Sequence, residues 1–302
     1  MKTLNLSENE ITSLPWAIGQ MEKIKVLDLS LNPFKDGRFK KLANDKRAKM
    51  YVKRFESVTP VRPFLACCVF SNLDLTGENF KKFINIQTKL HASSLCANRE
   101  IAAIGTHELK SFNPPLKYLA LPRDELHITA LHKKKPISAR ELIEALHRDA
   151  DLARRRTKRN TLNPLHRYLN LVLDLPILPC LVDAEGLVIS LAPVTNSDLT
   201  KMSEETQSVW VEVSSRESMS ICKEVLEQLV AETLQICPQM QLDQTSLQSS
   251  SKTLAVEPVE PGSIRVRVYK ENDDMLSVFP DKNDLSSLSV RREYFQETEN
   301  NA

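Results

Sequence analysis

The sequence predicts a mixed α/β domain preceded by a short repeat segment, and three observations carry that reading. Short β-prone runs such as Phe64–Phe70, Pro179–Val182 and Val209–Val213 interleave with helix-period stretches such as Leu142, Ile143, Leu146 and Ala150. Interleaving of this kind belongs to strands and helices packed in layers, not to a bundle or a barrel. Leucine and asparagine recur at equal offsets near the N-terminus, which sets that segment apart. An apolar fraction of 41% over 302 residues is enough for a buried core.

Leu4, Leu6 and Asn9 are answered by Leu27, Leu29 and Asn32, 23 residues further on. That spacing falls within the ~20–29 residues of leucine-rich repeats, in which a short strand turns its leucines into a stacked core. The asparagine then bonds backbone carbonyls at the bend. Residues 1–35 are therefore expected to be leucine-rich repeats. Two repeats fall short of the about three a stable array needs, and Met1 takes the place that Ile24 holds in the next repeat, so more repeats are expected upstream. Phe39, Leu42, Met50, Val52 and Phe55, set among Lys40, Lys41, Lys46, Arg47, Lys49, Lys53 and Arg54, predict a helical cap and linker over 36–61. Those charges suit either solvent or RNA phosphates.

The domain itself is expected over 62–285. Phe64–Phe70 reads as a buried strand, and Thr76 opens a helix carrying Phe80, Phe83, Ile84, Ile86 and Leu90. Ile101–Ile104 is a second strand closed by Gly105, Thr106 and His107. Ser138 and Glu141 form a capping box at the head of a long helix. His166, after Asn163 and Pro164, caps a helix with Tyr168 and Leu169. Pro179–Val182 and Leu187–Leu191 read as a hairpin around Asp183–Gly186. Val209–Val213 alternates as a strand, and Ile221–Leu234 has the spacing of an amphipathic helix. Gln239–Ser251 is rich in Ser and Gln and is expected as a flexible loop. Leu254–Val256, Ile264–Tyr269 and Leu276–Phe279 should add short strands, and 286–302 a flexible tail.

Charge excludes little: 41 Lys and Arg against 39 Asp and Glu leave a net +2, so a nucleic-acid partner must rest on local clusters. The six cysteines show no C-x-x-C pair and no Cys/His spacing for a metal, so no metal and no cofactor are expected. Most sit in apolar runs where a thiol packs as a small hydrophobe. No apolar stretch reaches the ~18–20 residues of a membrane span, and the N-terminus lacks a signal-peptide layout. A reduced, cytoplasmic protein is the expectation. His107 and His166 read as structural turn residues.

Four stretches come in a telling order: Ile104–Gly–Thr–His107, His166–Arg–Tyr–Leu169, Pro179–Cys–Leu–Val–Asp183 and Ser190–Leu–Ala–Pro–Val–Thr–Asn196, closed by the strand Val209–Ser215. From about Arg62 to Leu234 the chain resembles the B3/B4 module of the phenylalanyl-tRNA synthetase β subunit. With the repeats ahead of it, it is similar to the family of leucine-rich repeat-containing protein 47. The resemblance implies the pocket in which the synthetase removes a wrongly attached amino acid. Strand alternation puts Trp210, Glu212 and Ser214 on one face. Archaeal and eukaryotic synthetases place an acidic residue and a hydroxyl two apart on the equivalent strand, and Glu212 and Ser214 match them, with Ser where Thr is usual. The resemblance also brings Leu181, Ser190, Asn196, Ser197 and Asp198 toward the pocket. A buried acceptor there would favour tyrosine over phenylalanine, which would leave it unpaired. No residue announces itself as the catalytic base.

Arg148, Arg154, Arg155, Arg156, Lys158 and Arg159 form a basic cluster, either a phosphate-binding arm or a solvated helix end. Three functions follow. The first is an RNA-binding accessory of translation, with tRNA as partner and no aminoacylation of its own, since nothing in the chain supplies an amino-acid-activating site. The second is a free-standing hydrolase of mischarged tyrosyl-tRNA. The third is a scaffold whose repeats hold a protein partner while the pocket is a relic.

Overall fold

The computed structural model describes residues 3–6, 9–13, 26–29, 32–33, 35, 50–157, 164–242, 245–250, 253–256, 266–281, 284–285 and 290–291. At the N-terminus β1 (Thr3–Asn5) and β2 (Val26–Asp28) pair in parallel, with Leu4 opposite Leu27. Asn32 fastens the following bend. Its Nδ2 donates to the carbonyls of Leu6 (2.7 Å) and Leu29 (3.0 Å), and its Oδ1 accepts from Ile11 N (3.0 Å). Asn9 Nδ2 also donates to Leu6 O, at 3.1 Å. The two amides thus satisfy backbone groups that a bend leaves without ladder partners.

The helical cap expected over 36–61 is not what Met50 onward forms. Residues 51–54 are a strand, β3 (Tyr51–Arg54), followed by a single 3-10 turn at Glu56–Val58; residues 36–49 lie outside the described residues. The cause is a period of two that the basic residues hide. Met50, Val52 and Arg54 are buried while Tyr51 and Lys53 are half-buried. Burial of Arg54 is tolerated because its guanidinium donates to Pro63 O (2.9 Å) and Thr59 Oγ1 (2.5 Å) and pairs with Glu56 (3.3 Å).

Next in chain order come β4 (Phe64–Ser71), α1 (Glu78–Ala92), β5 (Ala102–Glu108) and β6 (Leu116–Pro122). The short pair β7 (His127–Ile128) and β8 (Ile137–Ser138) precedes α2 (Ala139–Thr157) and α3 (Pro164–Leu173). Then follow β9 (Ile177–Val182), β10 (Val188–Leu191), β11 (Thr195–Asn196), β12 (Val209–Ser215) and α4 (Met219–Ile236). The last strands are β13 (Gln241–Leu242), β14 (Thr245–Ser250), β15 (Thr253–Val256), β16 (Val266–Lys270), β17 (Met275–Phe279) and β18 (Val290–Arg291).

Two mixed sheets result. One runs β11-β10-β9-β6-β3-β16-β17 and the other β18-β15-β14-β13-β4-β12-β5. Between them lies a core that includes Leu65, Cys67 and Trp210 from one sheet and Val52, Tyr118, Leu181 and Val268 from the other. The opposite faces are covered by helices. Val209, Val211 and Val213 turn toward α1 and α4 through Phe83, Val225 and Leu229. Cys180 and Leu191 meet α2 and α3 through Leu142 and Leu169. The layers are therefore helices, sheet, sheet, helices, a mixed α/β sandwich. Among the described residues no helix is long and apolar enough to cross a membrane.

Local signals explain most element ends. Ser138 and Glu141 form the expected capping box, Glu141 N donating to Ser138 Oγ (3.2 Å) and Ser138 N to Glu141 Oε2 (3.3 Å). Asp183 closes the β9–β10 turn by accepting from the amides of Glu185 and Leu187, and Gly186 there takes φ +91°. The loop expected at Gln239–Ser251 is instead built mostly of β13 and β14, with Gln241 opposite Ser71 and Leu242 opposite Phe70. A polar strand forms there because β4 and β15 supply backbone partners whatever the side chains are. Most of the tail expected over 286–302 lies outside the described residues, apart from β18.

The free edge of β5 is closed by α1. Buried His91 accepts the Ile104 amide at Nε2 (2.9 Å), and Gln87 Oε1 accepts from the Thr106 hydroxyl (3.2 Å). Burial, assisted by the charges of Arg99 and Arg62, holds the His91 pKa down to about 3. Between an unfolded value near 6.5 and that folded value, the unfolded chain takes up a proton that the folded chain refuses. Stability from this group is therefore complete above about pH 6.5 and falls by about 1 kcal/mol per unit as pH drops toward 3. His91→Gln, which keeps an acceptor for the Ile104 amide, should flatten the fall in urea midpoint between pH 7 and pH 5. Equal acid sensitivity in both proteins would place the effect elsewhere.

Candidate functional site

β12 is hydrogen-bonded on both sides, antiparallel to β4 and to β5, which puts Glu212 beside Cys67 and beside Gly105. Period-two alternation sends the valines to the helices and Glu212 toward the other sheet, where it is 4% exposed. Gly105 makes this possible. A Cβ there would stand 2.5 Å from Glu212 Oε1 and 2.8 Å from its Cγ, so only the missing side chain lets the carboxylate lie across β5. Glu212 lines a small concavity that is open to solvent. Ala103, Ile104 and Gly105 of β5 form one side; Ser190 and Leu191 of β10, then Ala192 and Pro193, form another. Thr195 and Asn196 come from β11, and Arg99 from the turn before β5. The site thus lies where edge strands of the two sheets meet, bridged by Asn196 Nδ2 donating to Thr106 O (3.2 Å).

That turn is shaped by a second buried charge. Arg62, 2% exposed, donates from Nε to Ser214 Oγ (2.9 Å) and from Nη2 to Ser214 O (3.0 Å), Arg99 O (3.3 Å) and Ile101 O (3.4 Å). Its own carbonyl accepts from the Tyr118 hydroxyl at 2.7 Å. Burial draws the guanidinium pKa below its usual value. Ala97, Asn98 and Arg99 all adopt left-handed backbone, with φ of 44°, 53° and 72°. Such a run costs roughly 1 kcal/mol or more per non-glycine residue and needs anchoring. The anchors are Arg62 on Arg99 O and Asn98 N on His91 O (2.7 Å). Arg99 Nη1 then reaches Pro193 O across the concavity (3.1 Å).

His107 is not the backbone-satisfied turn residue that its sequence predicts. It is fully buried on β5, its Nδ1 2.8 Å from Thr200 Oγ1 and its Nε2 3.8 Å from Glu212 Oε1. The direction of the Thr200 contact follows the ring tautomer, since the Thr200 hydroxyl also has Ser197 O as an acceptor at 3.5 Å. Among the described residues His107 Nε2 has no hydrogen-bond partner, and neither has Ser190 Oγ nor Trp210 Nε1. Buried polar atoms are usually paired, so unpaired ones beside a buried carboxylate mark a place where a ligand or water completes the set.

The residues expected around the pocket separate into two groups. Glu212, Ser190 and Asn196 come together in the concavity. The others take structural places. Trp210 shares the face of Glu212 but is sealed between the sheets, edge-on to Phe112 at 6.0 Å. Leu181 lies in the same inter-sheet core. The Ser214 hydroxyl is held by Arg62. Ser197 caps the 3-10 turn Asp198–Thr200 by accepting from Leu199 N (3.2 Å), and Asp198 accepts from His132 N (3.0 Å) and pairs with Lys201 (3.0 Å). Arg99, Gly105 and Thr195 line the concavity and buried His107 stands 3.8 Å from Glu212, although the sequence reading gave none of them that role; the Gly in Ile104–Gly105–Thr106 was the available signal. Of the basic cluster, Arg148 and Arg155 are exposed on α2. The side chains of Arg154 and Arg156, and Lys158 and Arg159 altogether, lie outside the described residues, as does the His166 side chain.

Among proteins of known identity, this chain is similar to phenylalanine–tRNA ligase β subunits. It is 31% identical to that of Saccharomyces cerevisiae over 159 residues, 53% of this chain and 25% of that one. With the Drosophila melanogaster subunit the identity is 29% over 193 residues, 64% and 30% of the two chains. With the cytoplasmic subunit of Arabidopsis thaliana it is 27% over 219 residues, 72% and 32%. The chain spans a quarter to a third of the length of these relatives. Among solved structures, an N-terminal fragment of the phenylalanyl-tRNA synthetase β subunit from Pyrococcus horikoshii superposes with a TM-score of 0.57 at 20% identity, covering 76% of this chain and 54% of that one. It has the same fold. No family model matches the sequence. The sequence similarities support homology to the β subunit, in the region of its B3/B4 module, and a synthetase-related domain.

Gly105→Ala tests the seat of the carboxylate. A methyl group 2.5 Å from Glu212 Oε1 must displace it, which should cost about 1–3 kcal/mol in urea unfolding. In the background Glu212→Ala the same change should cost distinctly less. Equal costs in the two backgrounds would mean that Glu212 does not depend on Gly105.

Proposed function

We propose that the chain is an RNA-binding accessory of translation whose Glu212 pocket receives the aminoacyl 3′ end of a tRNA, and that it does not itself ligate amino acid to tRNA. One observation carries this reading. A carboxylate 4% exposed lines an open concavity, made possible by a glycine on the next strand, in a domain homologous to part of a tRNA synthetase subunit. Among the described residues Glu212 accepts no hydrogen bond, with His107 its recorded neighbour at 3.8 Å. A ligand hydroxyl would fill that lack, and a phenol suits it where a bare phenyl ring does not. The cytoplasmic subunit among the relatives and the absence of an apolar spanning helix among the described residues support a cytoplasmic place of action.

The finer parts of the proposal rest on separate features. The parallel pair β1–β2 at a 23-residue offset, with Asn32 bonding Leu6 and Leu29, supports leucine-rich repeats over 1–35 and a protein partner for them. Arg148 and Arg155, exposed on α2, support a phosphate-binding arm that continues through Arg154, Arg156, Lys158 and Arg159. A second reading, hydrolysis of a mischarged tyrosyl ester, is favoured by the unpartnered His107 Nε2 and Ser190 Oγ near the carboxylate. Ser190 lines the concavity and its hydroxyl is suited to holding a water there, with His107 Nε2 3.8 Å from the carboxylate.

Both readings meet in one measurement. A tRNA with amide-linked tyrosine at its 3′ end should bind more tightly than the phenylalanine counterpart, and Glu212→Gln should lower that preference by about ten- to a hundredfold, the value of one hydrogen bond to a charged acceptor. A preference that survives the substitution would refute the role of Glu212. With ester-linked tyrosine, wild-type protein that leaves the bond intact over hours would reject the hydrolase and leave the binder.

A further inference from the structure

Among the described residues, one charged segment is bonded through its backbone to a strand of the pocket. It is the turn from Leu131 to Pro136, where His132, Lys133, Lys134 and Lys135 are all exposed. We propose that Lys133, Lys134 and Lys135 bind the phosphodiester backbone next to the 3′ end that occupies the Glu212 concavity. The inference rests on the pocket reading above and adds to it the contact that carries RNA affinity.

Three observations support it. First, the turn is joined to the pocket through its backbone. Leu131 N donates to Asn196 O (3.1 Å), and Asn196 lines the concavity. Ala130 bridges Ser197, Asp198 N donates to Thr129 O (2.7 Å), and Asp198 Oδ1 accepts from His132 N (3.0 Å). Second, the turn is held in shape. His132 takes φ +65°, and Lys133 N closes on Ala130 O at 2.9 Å. A fixed turn presents its charges with little backbone entropy left to lose on binding. Third, the charges are not neutralised. Asp198, the carboxylate bonded to this turn, pairs with Lys201 at 3.0 Å, and among the described residues none of Lys133, Lys134 and Lys135 forms an ion pair.

Three adjacent ammonium groups free of carboxylates are suited to phosphates, which bind them as point charges and release counterions. An acidic protein segment offers similar charge, but the link to the pocket-lining strand favours the partner whose end enters the pocket. Leu199, 56% exposed beside Asp198, adds an apolar side chain on the same segment against which a base can rest.

The test compares the wild-type chain with the variant Lys133→Gln/Lys134→Gln/Lys135→Gln and with Arg154→Gln/Arg155→Gln/Arg156→Gln. Two probes separate the contributions: a tRNA carrying amide-linked tyrosine, and amide-linked tyrosyl-adenosine, which has no phosphate. The lysine variant should bind the tRNA at least tenfold more weakly in 0.15 M salt. Its log–log salt slope should be lower by about 2, from three contacts at ~0.7 each on a single strand. Binding of tyrosyl-adenosine should be unchanged. An unchanged tRNA slope in the lysine variant overturns the inference, whether or not the arginine variant loses slope. Loss of poly-glutamate binding with the tRNA slope intact overturns it in favour of an acidic protein partner. A wild-type chain that ignores tyrosyl-adenosine, while the lysine variant still loses tRNA slope, refutes the pocket reading and retains the phosphate contact.

Discussion

Buried Arg62 is the constraint on which the site depends. One guanidinium ties β12 at Ser214 to the turn at Arg99 and Ile101, and its own carbonyl is held by Tyr118 of the opposite sheet. A desolvated cation in such a place is tolerated only because its donors find several oxygens. Removing it would take four donor contacts from Ser214, Arg99 and Ile101 and leave the three successive left-handed residues of the turn with less to hold them. Lysine would not substitute, since a single ammonium cannot reproduce the planar fork that reaches both a side chain and separate backbone carbonyls. Arg99 in the concavity and the start of β5 are thus set by a residue that never reaches the pocket.

Glu212 illustrates a related economy. The carboxylate is kept close to solvent only through the concavity, and its surroundings keep neighbouring groups neutral. Burial and the Glu212 charge together push the Cys67 thiol well above its ordinary range. Cys180 is held up at about 12 by the same two causes, burial first. The acid stands in an environment in which nearby thiols stay protonated, so no thiolate adjoins it.

The sandwich was largely legible where apolar periodicity was strong. Phe64–Phe70, Ile101–Ile104, the 177–191 hairpin and Val209–Val213 are strands because their side chains alone announce burial. β3 was hidden by Lys53 and Arg54, and its alternation shows only when Arg54 is counted as an inward residue satisfied by Thr59 and Pro63. β13 and β14 were hidden because their pairing partners, not their composition, decide them. At the site, alternation correctly turned Glu212 inward but could not say what lies above each inward residue. Neighbours two apart on a strand are about 7 Å from one another, so Trp210 reaches the inter-sheet core and Ser214 reaches Arg62 while only Glu212 meets the cavity. Gly105 and Arg99 approach from other segments, which no local pattern reports.

The meeting of β5 and β11 has a mechanical side. Within each sheet neighbouring strands are held by ladders, but across this seam the hydrogen bonds among the described residues are single side-chain contacts, Asn196 to Thr106, Arg99 to Pro193 and His107 to Thr200. Parting the two edges would sacrifice two or three hydrogen bonds, each worth about 1 kcal/mol net, and would leave every ladder intact. The sandwich is therefore most compliant at the mouth of its cavity and stiffest along β12 behind it. In the proposed role, a guest wider than the resting gap is admitted by a local splay of the seam, while Glu212 stays fixed to the stiffest strand.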